Sequence, residues 1–340
     1  MYKVFVTGAT GYIGGHLVES LLAEGHHVRC LLRHSGRRSA LPIQCHSNLE
    51  CVTGDLQDTL RLREWLRDCD LVYHLAGLTS ARFRHDLYRT NVTGSGAVAE
   101  ACAMQRRPPR LIIVSSLAAA GTATQGHARS SEDASRPVSE YGRSKRAGEL
   151  AAIRWANQVP ISIVRPGIVF GERNREMLPL FQSIAQFRLH AVPGYVPRRV
   201  SLVHHEDLIT LLRQIQQRGR TVPANGSDRG AGIYFAADPQ HVSYAELGRM
   251  IARSLGQRRA LILPIAEPLA WLAAAGNQGV NFLRGRSDSF NLDKMREAFA
   301  GDWIGATESL QSEFNFRPAK SLQARLDQTA RWYREQGWVS

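Results

Sequence analysis

"KVFVTGATGYIGGHLVESLLAEG", residues 3–25, decides the fold. A short β-rich run ends in glycines, and an amphipathic helix pattern follows at once. Ile13, Leu17, Leu21 and Leu22 fall on one helix face, and Gly25 is a stop. Between the strand and the helix, Gly8, Gly11 and Gly14 are spaced three apart. Glycine permits the tight turn and lets a pyrophosphate approach the backbone. The start of the helix then offers unpaired N–H groups to the anion. The glycines alone are a weak signal, and a plain glycine-rich turn is the alternative. The preceding strand and following helix are the context that makes the loop a dinucleotide cradle, with Thr10, Tyr12 and Ile13 included in it.

The same alternation continues outward. Strand patterns occur at 27–32, 49–55, 70–77, 110–116 and 161–167, and helix patterns at 59–68, 87–104 and 141–157. Strands alternating with crossover helices predict a Rossmann-type α/β fold, a doubly wound parallel sheet with helices on both faces. Beyond residue 167 the pattern loosens. A helix is expected over 174–187, a strand turning into a helix over 200–217, a strand over 232–238 and a helix over 243–256. The expected organisation is a dinucleotide-binding domain at 1–167, with 200–238 returning to it. Segments 168–199 and 239–340 would build a smaller mixed α/β substrate-binding lobe.

The second strand bears on the choice of cofactor. An acid about 20 residues past the glycines would bind a ribose 2′-hydroxyl, and an arginine would suit a 2′-phosphate. The strand ends "CLLRHSGRR". The acid is absent, Arg33 follows the strand end, and Arg37 and Arg38 are close in sequence. A guanidinium matches phosphate geometry, so NADP(H) is favoured over NAD(H). The alternative is a solvated loop that happens to carry arginines.

Composition limits the remaining function classes. The 340 residues carry a formal net charge of +13, but the basic residues are scattered in short clusters. No aromatic-interleaved basic motif appears, so no nucleic-acid partner is expected. A basic field can instead steer an anionic cofactor or substrate. Five cysteines, an odd count, lie in the first third without a CxxC, which argues against a disulfide framework. The N-terminal segment reads as strand and turn rather than a signal peptide, and a cytoplasmic location is expected. No stretch reaches the ~20 apolar residues of a membrane span. Segment 268–286 is apolar, then basic. It reads as a buried helix of the smaller lobe, with contact to a membrane surface as the alternative.

"YGRSK", residues 141–145, puts Tyr141 and Lys145 four apart, on one helix face. A lysine ammonium near a phenol favours the phenolate and makes the hydroxyl a usable general acid–base near neutral pH. The spacing is weak by itself. It gains weight from the strand ending in Ser115 and Ser116 about 25 residues earlier, on the sheet edge that carries the glycine loop.

With these motifs the chain resembles an extended short-chain dehydrogenase/reductase. That superfamily includes NAD(P)-dependent sugar epimerases, 3β-hydroxysteroid dehydrogenases and dihydroflavonol reductases. The likeness runs in order through "TGATGYIG" (7–14), "GDLQD" (54–58), "YHLAG" (73–77), "NVTGSG" (91–96), "IIVSS" (112–116), "YGRSK", "RPGIVFG" (165–171) and "VHHEDL" (203–208). The resemblance implies Ser116, Tyr141 and Lys145 as catalytic residues, with Lys145 also on the ribose. It implies Asp55 and Leu56 at the adenine, and Leu75, Ala76 and Gly77 along the dinucleotide. It further implies Asn91 as a support of the active-site helix, Ser115 facing the cofactor, Pro166 and Gly167 by the nicotinamide, and a homodimer through helices 87–104 and 141–157.

Two departures matter. Nucleotide-sugar members carry an asparagine where this chain has Ile168, and an arginine where it has Val200, with Arg198 and Arg199 displaced. The chain is therefore closer in character to the 3β-hydroxysteroid dehydrogenase and dihydroflavonol reductase branch. This predicts an oxidoreductase moving hydride between NADP(H) and a carbonyl or secondary alcohol on a largely apolar small molecule. The alternatives are a nucleotide-sugar epimerase with tightly bound NAD and a non-catalytic dinucleotide sensor. Substrate contacts are expected from Thr79, Phe83, Phe170, Met177 and Tyr195, with Leu78 and His204 beside them. "HHED" (204–207) reads as structural, its acids favouring a helix start, so no metal is expected.

Overall fold

The computed structural model describes residues 1–33, 35–124, 127–284 and 291–339; at 35–37 and 283 it describes the backbone alone. Strands β1 (Lys3–Thr7), β2 (His27–Leu32), β3 (Leu49–Thr53), β4 (Leu71–His74), β5 (Arg110–Val114) and β6 (Ile161–Pro166) alternate with helices. These are α1 (Tyr12–Ala23), α2 (Thr59–Trp65), α3 (Arg84–Tyr88), α4 (Gly94–Ala103), the single turn α5 (Leu117–Ala120) and α6 (Glu140–Ile153). The later elements are β7 (Ile168–Phe170), α7 (Leu178–Phe187), β8 (Leu189–Pro193), β9 (Arg199–Val200), β10 (Leu202–His204), α8 (His205–Arg218), β11 (Ile233–Ala236), β12 (Val242–Ser243), α9 (Tyr244–Ser254) and β13 (Leu261–Ile265). Helices α10 (Glu267–Leu283), α11 (Leu292–Phe299), α12 (Glu308–Phe314) and α13 (Leu322–Glu335) follow.

Seven strands form one parallel sheet in the order β11-β6-β5-β4-β1-β2-β3. Its central strands β1, β4, β5 and β6 are buried on both faces, which explains their near-continuous apolar runs, while edge strand β3 is only partly covered. Val4 and Val6 pack with Leu17 of α1 and Leu208 of α8 on one face. Phe5, Val72 and Leu111 pack with Ala97 and Val98 of α4 on the other. The chain winds away from β1 in both directions, so a crevice opens at the C-terminal ends of β1 and β4. Thr7 is level with Leu31 on one side and His74 on the other, which brings three strand ends to that edge.

A second core gathers Phe181 of α7, Leu247 and Ile251 of α9 and Tyr333 of α13. Three two-stranded ribbons, β7–β10, β9–β12 and β8–β13, complete the structure. Asp207, in the first turn of α8, takes a bidentate bond from buried Arg325 of α13 at 2.7 and 2.9 Å.

Two expectations change. The helix expected at 87–104 is α3 and α4 joined by a widened π turn at Arg89–Thr93, the turn that carries Asn91. Such bulges often sit at functional sites. Segment 268–286 is not a buried helix. Helix α10 packs on α11 through buried Ala270 and Ala274, and leaves Leu269 and Leu272 64% and 75% exposed. Residues 285 and 286 lie outside the described residues. No described helix is long and apolar enough to cross a membrane.

Candidate active site

The glycine loop closes on itself through Gly11 N–H donating to Gly8 O at 2.9 Å. Gly8 has φ +74°, and a Cβ there would sit 2.6 Å from Ala76 N; one on Gly14 would sit 2.1 Å from Gly8 O. Only glycine allows this packing. Helix α1 starts with Gly11 as its cap, with no side-chain bond to its first N–H groups. Those donors point toward the crevice end and suit a pyrophosphate, so the residues present fit a dinucleotide. Tyr12 contributes backbone only. Its ring packs edge-on against the stacked rings of His16 and His205, and burial pushes its phenol well above the ordinary range.

A buried polar chain holds the next stretch of the crevice. Ala76 N–H donates to Thr7 Oγ1 at 3.3 Å, and Thr7 Oγ1 lies 2.8 Å from His74 Nδ1. His74 Nε2 is 3.0 Å from Ser95 Oγ, which donates to Asn91 O at 2.7 Å. The Ser95 bond assigns the imidazole proton to Nε2, leaving Nδ1 to accept from Thr7. Burial lowers the His74 pKa to about 3, so the ring is neutral at ordinary pH. Asn91 extends the chain in two directions. Its carboxamide exchanges bonds with Leu78 N and O at 2.8 and 2.9 Å, and donates to Ser144 Oγ of α6 at 2.8 Å. The backbone of Leu75, Ala76, Gly77 and Leu78 is thereby tied to the helix that carries Tyr141.

Ser116 caps α5, its Oγ accepting from Ala118 N at 3.1 Å. Tyr141 lies near Ser116, whose hydroxyl favours the phenolate, and Lys145 Nζ donates to Val114 O at 2.9 Å. The three side chains named by the sequence thus meet at the end of β5. Burial raises the Tyr141 pKa, against the pull of the Lys294 charge and the Ser116 hydroxyl. Burial also lowers Lys145 to about 8. The expectation that a lysine tunes the phenol therefore needs amendment: the cation that acts most on Tyr141 is Lys294, whose Nζ lies 5.1 Å from the ring centroid.

Helix α11 is the part of this site that the sequence reading missed. Asp293 accepts from Glu140 N and Tyr141 N at 2.7 and 2.9 Å, across the open first turn of α6. Lys294 donates to Glu297 at 2.7 Å, and Glu297 accepts from Ser139 Oγ, the cap of α6, at 2.6 Å. An Asn-capped amphipathic turn at 291–299 was the only local signal, and nothing in it indicates a partner 153 residues away.

Other candidates are dispersed. Ser115 is buried near Glu149, and its hydroxyl has no hydrogen-bond partner among the described residues. Arg33 is exposed just past β2, level with the glycine loop. Arg38 donates to Gln44 O, and the Arg37 side chain lies outside the described residues. Asp55 is exposed and pairs loosely with Arg89 at 3.7 Å, while Leu56 packs toward Gly94. Pro166 is buried, and Gly167 fits tightly, a Cβ there falling 2.3 Å from Ser201 O.

Of the expected substrate contacts, Thr79 lines a cavity of about 320 Å³ between α10, α11 and the loop after β4. Phe83 stands at its edge, against Phe282 at 6.2 Å. Phe170 and Met177 are core residues instead, buried with Phe181. Tyr195 is 76% exposed, on the turn after β8.

Glu172, His204, His205 and Glu206 bring potential ligand atoms within 4.8 Å of one another. Glu172 Oε2 lies 3.2 Å from His204 Nε2 and 2.7 Å from His205 Nε2. However, His204 caps α8 by accepting Glu206 N–H on Nδ1, which leaves its proton on Nε2, facing Glu172. A metal-binding Nε2 would need that proton on Nδ1, against the N–H. Of the two histidines, only His205 hydrogen-bonds the Glu172 carboxylate, through Nε2, whereas buried His204 Nε2 and His205 Nδ1 have no hydrogen-bond partner among the described residues; the two histidines hold Glu172 far below the usual carboxylate range.

A family model described as the NAD dependent epimerase/dehydratase family matches residues 4–227. The chain belongs to this family. It is 31% identical to a ceramide reductase of Caulobacter vibrioides, over 99% of this chain and 96% of that protein. It is 28% identical to a putative dihydroflavonol 4-reductase of Synechocystis sp., over 98% and 95%. Its fold matches dTDP-glucose 4,6-dehydratase from Bacillus anthracis in complex with NAD, with a TM-score of 0.77, 20% identity and coverage of 100% and 99%. Within the family the chain is an NAD(P)-dependent enzyme of the extended short-chain dehydrogenase/reductase type, with the resemblance to the dihydroflavonol reductase branch borne out among its relatives.

Proposed function

We propose that this family member is an NADP(H)-dependent reductase of a carbonyl group on a largely apolar substrate, with Tyr141 as the proton donor. The observation that carries this reading is the half-buried Tyr141–Ser116 pair at the strand edge beside the glycine cradle. Burial keeps the phenol protonated through neutral pH, the state a donor to a carbonyl oxygen needs. Ser116 holds the carbonyl oxygen. Lys294, fixed by Glu297, restrains the rise in the Tyr141 pKa, and Lys145 lies beside Gly77 on the path assigned to the ribose. The nicotinamide, when bound, supplies the hydride.

Residues 1–167 with 200–238 would form the cofactor unit, and 168–199 with 239–340 the substrate lobe. The apolar character of the substrate is supported by the names of the two relatives and by Ile168, which cannot hydrogen-bond a sugar. Arg199 is engaged by Asp302 at 2.9 Å, which argues against a diphosphate-binding role. Arg33 is the candidate reader of the 2′-phosphate.

Calorimetric titration with NADPH and then NADH tests the cofactor assignment. NADPH should bind more tightly, and Arg33→Ala should weaken NADPH by roughly tenfold or more while leaving NADH nearly unchanged. Preference for NADH removes the role of Arg33, and protein that purifies with NAD already bound favours the epimerase reading.

A further inference from the structure

We propose that the outward face of α10 is a docking surface for an anionic lipid membrane, which it meets without crossing. The helix runs for 17 residues, and no charged residue occurs between Glu267 and Arg284. A surface helix ordinarily turns charged side chains to water. Here Leu269, Leu272, Val280 and Phe282 are exposed, and the other outward positions include Ala273, Ala275, Gly276 and Gly279. The strand leading into the helix continues the pattern, with Leu261 and Leu263 exposed. A contiguous apolar surface of this kind marks an interaction site.

Charge selects the occupant. Exposed Arg284 ends the helix, and Arg82 stacks over Phe282 and Phe83 at 4.6 and 5.1 Å. Arg258 and Arg259 are exposed just before β13. The one acid on α10, Glu267, sits at its N-terminus and accepts from Trp271 Nε1. Apolar side chains flanked by arginines suit acyl chains beneath anionic headgroups.

The surface also bears on the reaction, and this part rests on the reading of an apolar substrate. Phe282, Asn281 and Gln278 of α10 line the cavity that reaches Glu140 and Asp293, the residues flanking and bonding Tyr141. A docked α10 would open this cavity toward lipid, where an apolar ketone resides.

The test uses the full chain with NADPH, sedimented with vesicles of phosphatidylcholine alone or mixed with phosphatidylglycerol, at low and high salt. Binding should require the anionic lipid and weaken with salt. Leu269→Glu/Leu272→Glu should weaken it by roughly tenfold or more while NADPH affinity is unchanged. Absence of binding to the mixed vesicles overturns the proposal. So does binding that the double variant leaves intact, or a dimer in sedimentation velocity that the variant dissociates while no vesicle binding occurs. Vesicle binding and turnover are separate readouts. Turnover of a water-soluble ketone without vesicle binding sinks the docking alone, whereas vesicle binding without any carbonyl turnover sinks the functional reading alone.

Discussion

Tyr141→Phe is expected to lower kcat by about a thousandfold, within the range for losing a positioned proton donor, and to leave NADPH affinity nearly unchanged. The substitution removes one oxygen. The ring keeps its place, because α6 is held by Asp293 at Tyr141 N, by the Ser139 cap and by the Asn91–Ser144 bond. The glycine cradle lies on other elements and does not change. With the phenol oxygen gone, the carbonyl oxygen loses its donor. Steady-state rates and calorimetry on the same preparation check both halves. A loss smaller than about tenfold would assign the proton to another group.

Glu149→Ala is expected to destabilise the fold by about 3–5 kcal/mol, because it strands a buried guanidinium. Glu149 and Arg165 are 0% and 1% exposed. Arg165 donates to both carboxylate oxygens at 2.7 and 2.9 Å, and Arg146 adds a bond at 3.0 Å. Taking Glu149 away leaves Arg165 without a counterion in the interior between α6 and β6, while Arg146 keeps its pair with Asp228. The cost reflects the unpaired charge of Arg165 more than the strength of the pair. Replacing Glu149 and Arg165 together by Met should therefore cost much less than the single change. Urea unfolding of the three proteins measures this. A single-variant loss below about 1 kcal/mol would mean that water reaches Arg165 and solvates it.

The fold was legible where local rules and tertiary packing agree. Strand, glycine turn and helix at 3–25 require each other, and the parallel sheet follows from their repetition. The meeting of Ser116, Tyr141 and Lys145 was legible too, because strand ends and the helices that follow share one sheet edge. Three features were not. Phe170 and Met177 follow the motif segment like pocket residues, yet the short ribbon β7–β10 and α7 turn them into a core that sequence adjacency does not reveal. Asp293, Lys294 and Glu297 reach Tyr141 across a tertiary contact, and their spacing matches any amphipathic helix. Helix α10 carries no charge after its first residue, Glu267, which predicts burial; the structure instead leaves its outer face open, and a binary pattern cannot distinguish a core from an interaction surface.

The most direct test of the central claim is the near-ultraviolet absorbance of NADPH mixed with the protein and a series of long-chain ketones. The account predicts a continuing, stoichiometric loss of reduced nicotinamide with at least one of them, abolished in Tyr141→Phe. No net oxidation with any ketone, together with a bound dinucleotide that turns over a sugar nucleotide without changing its own redox state, would contradict it.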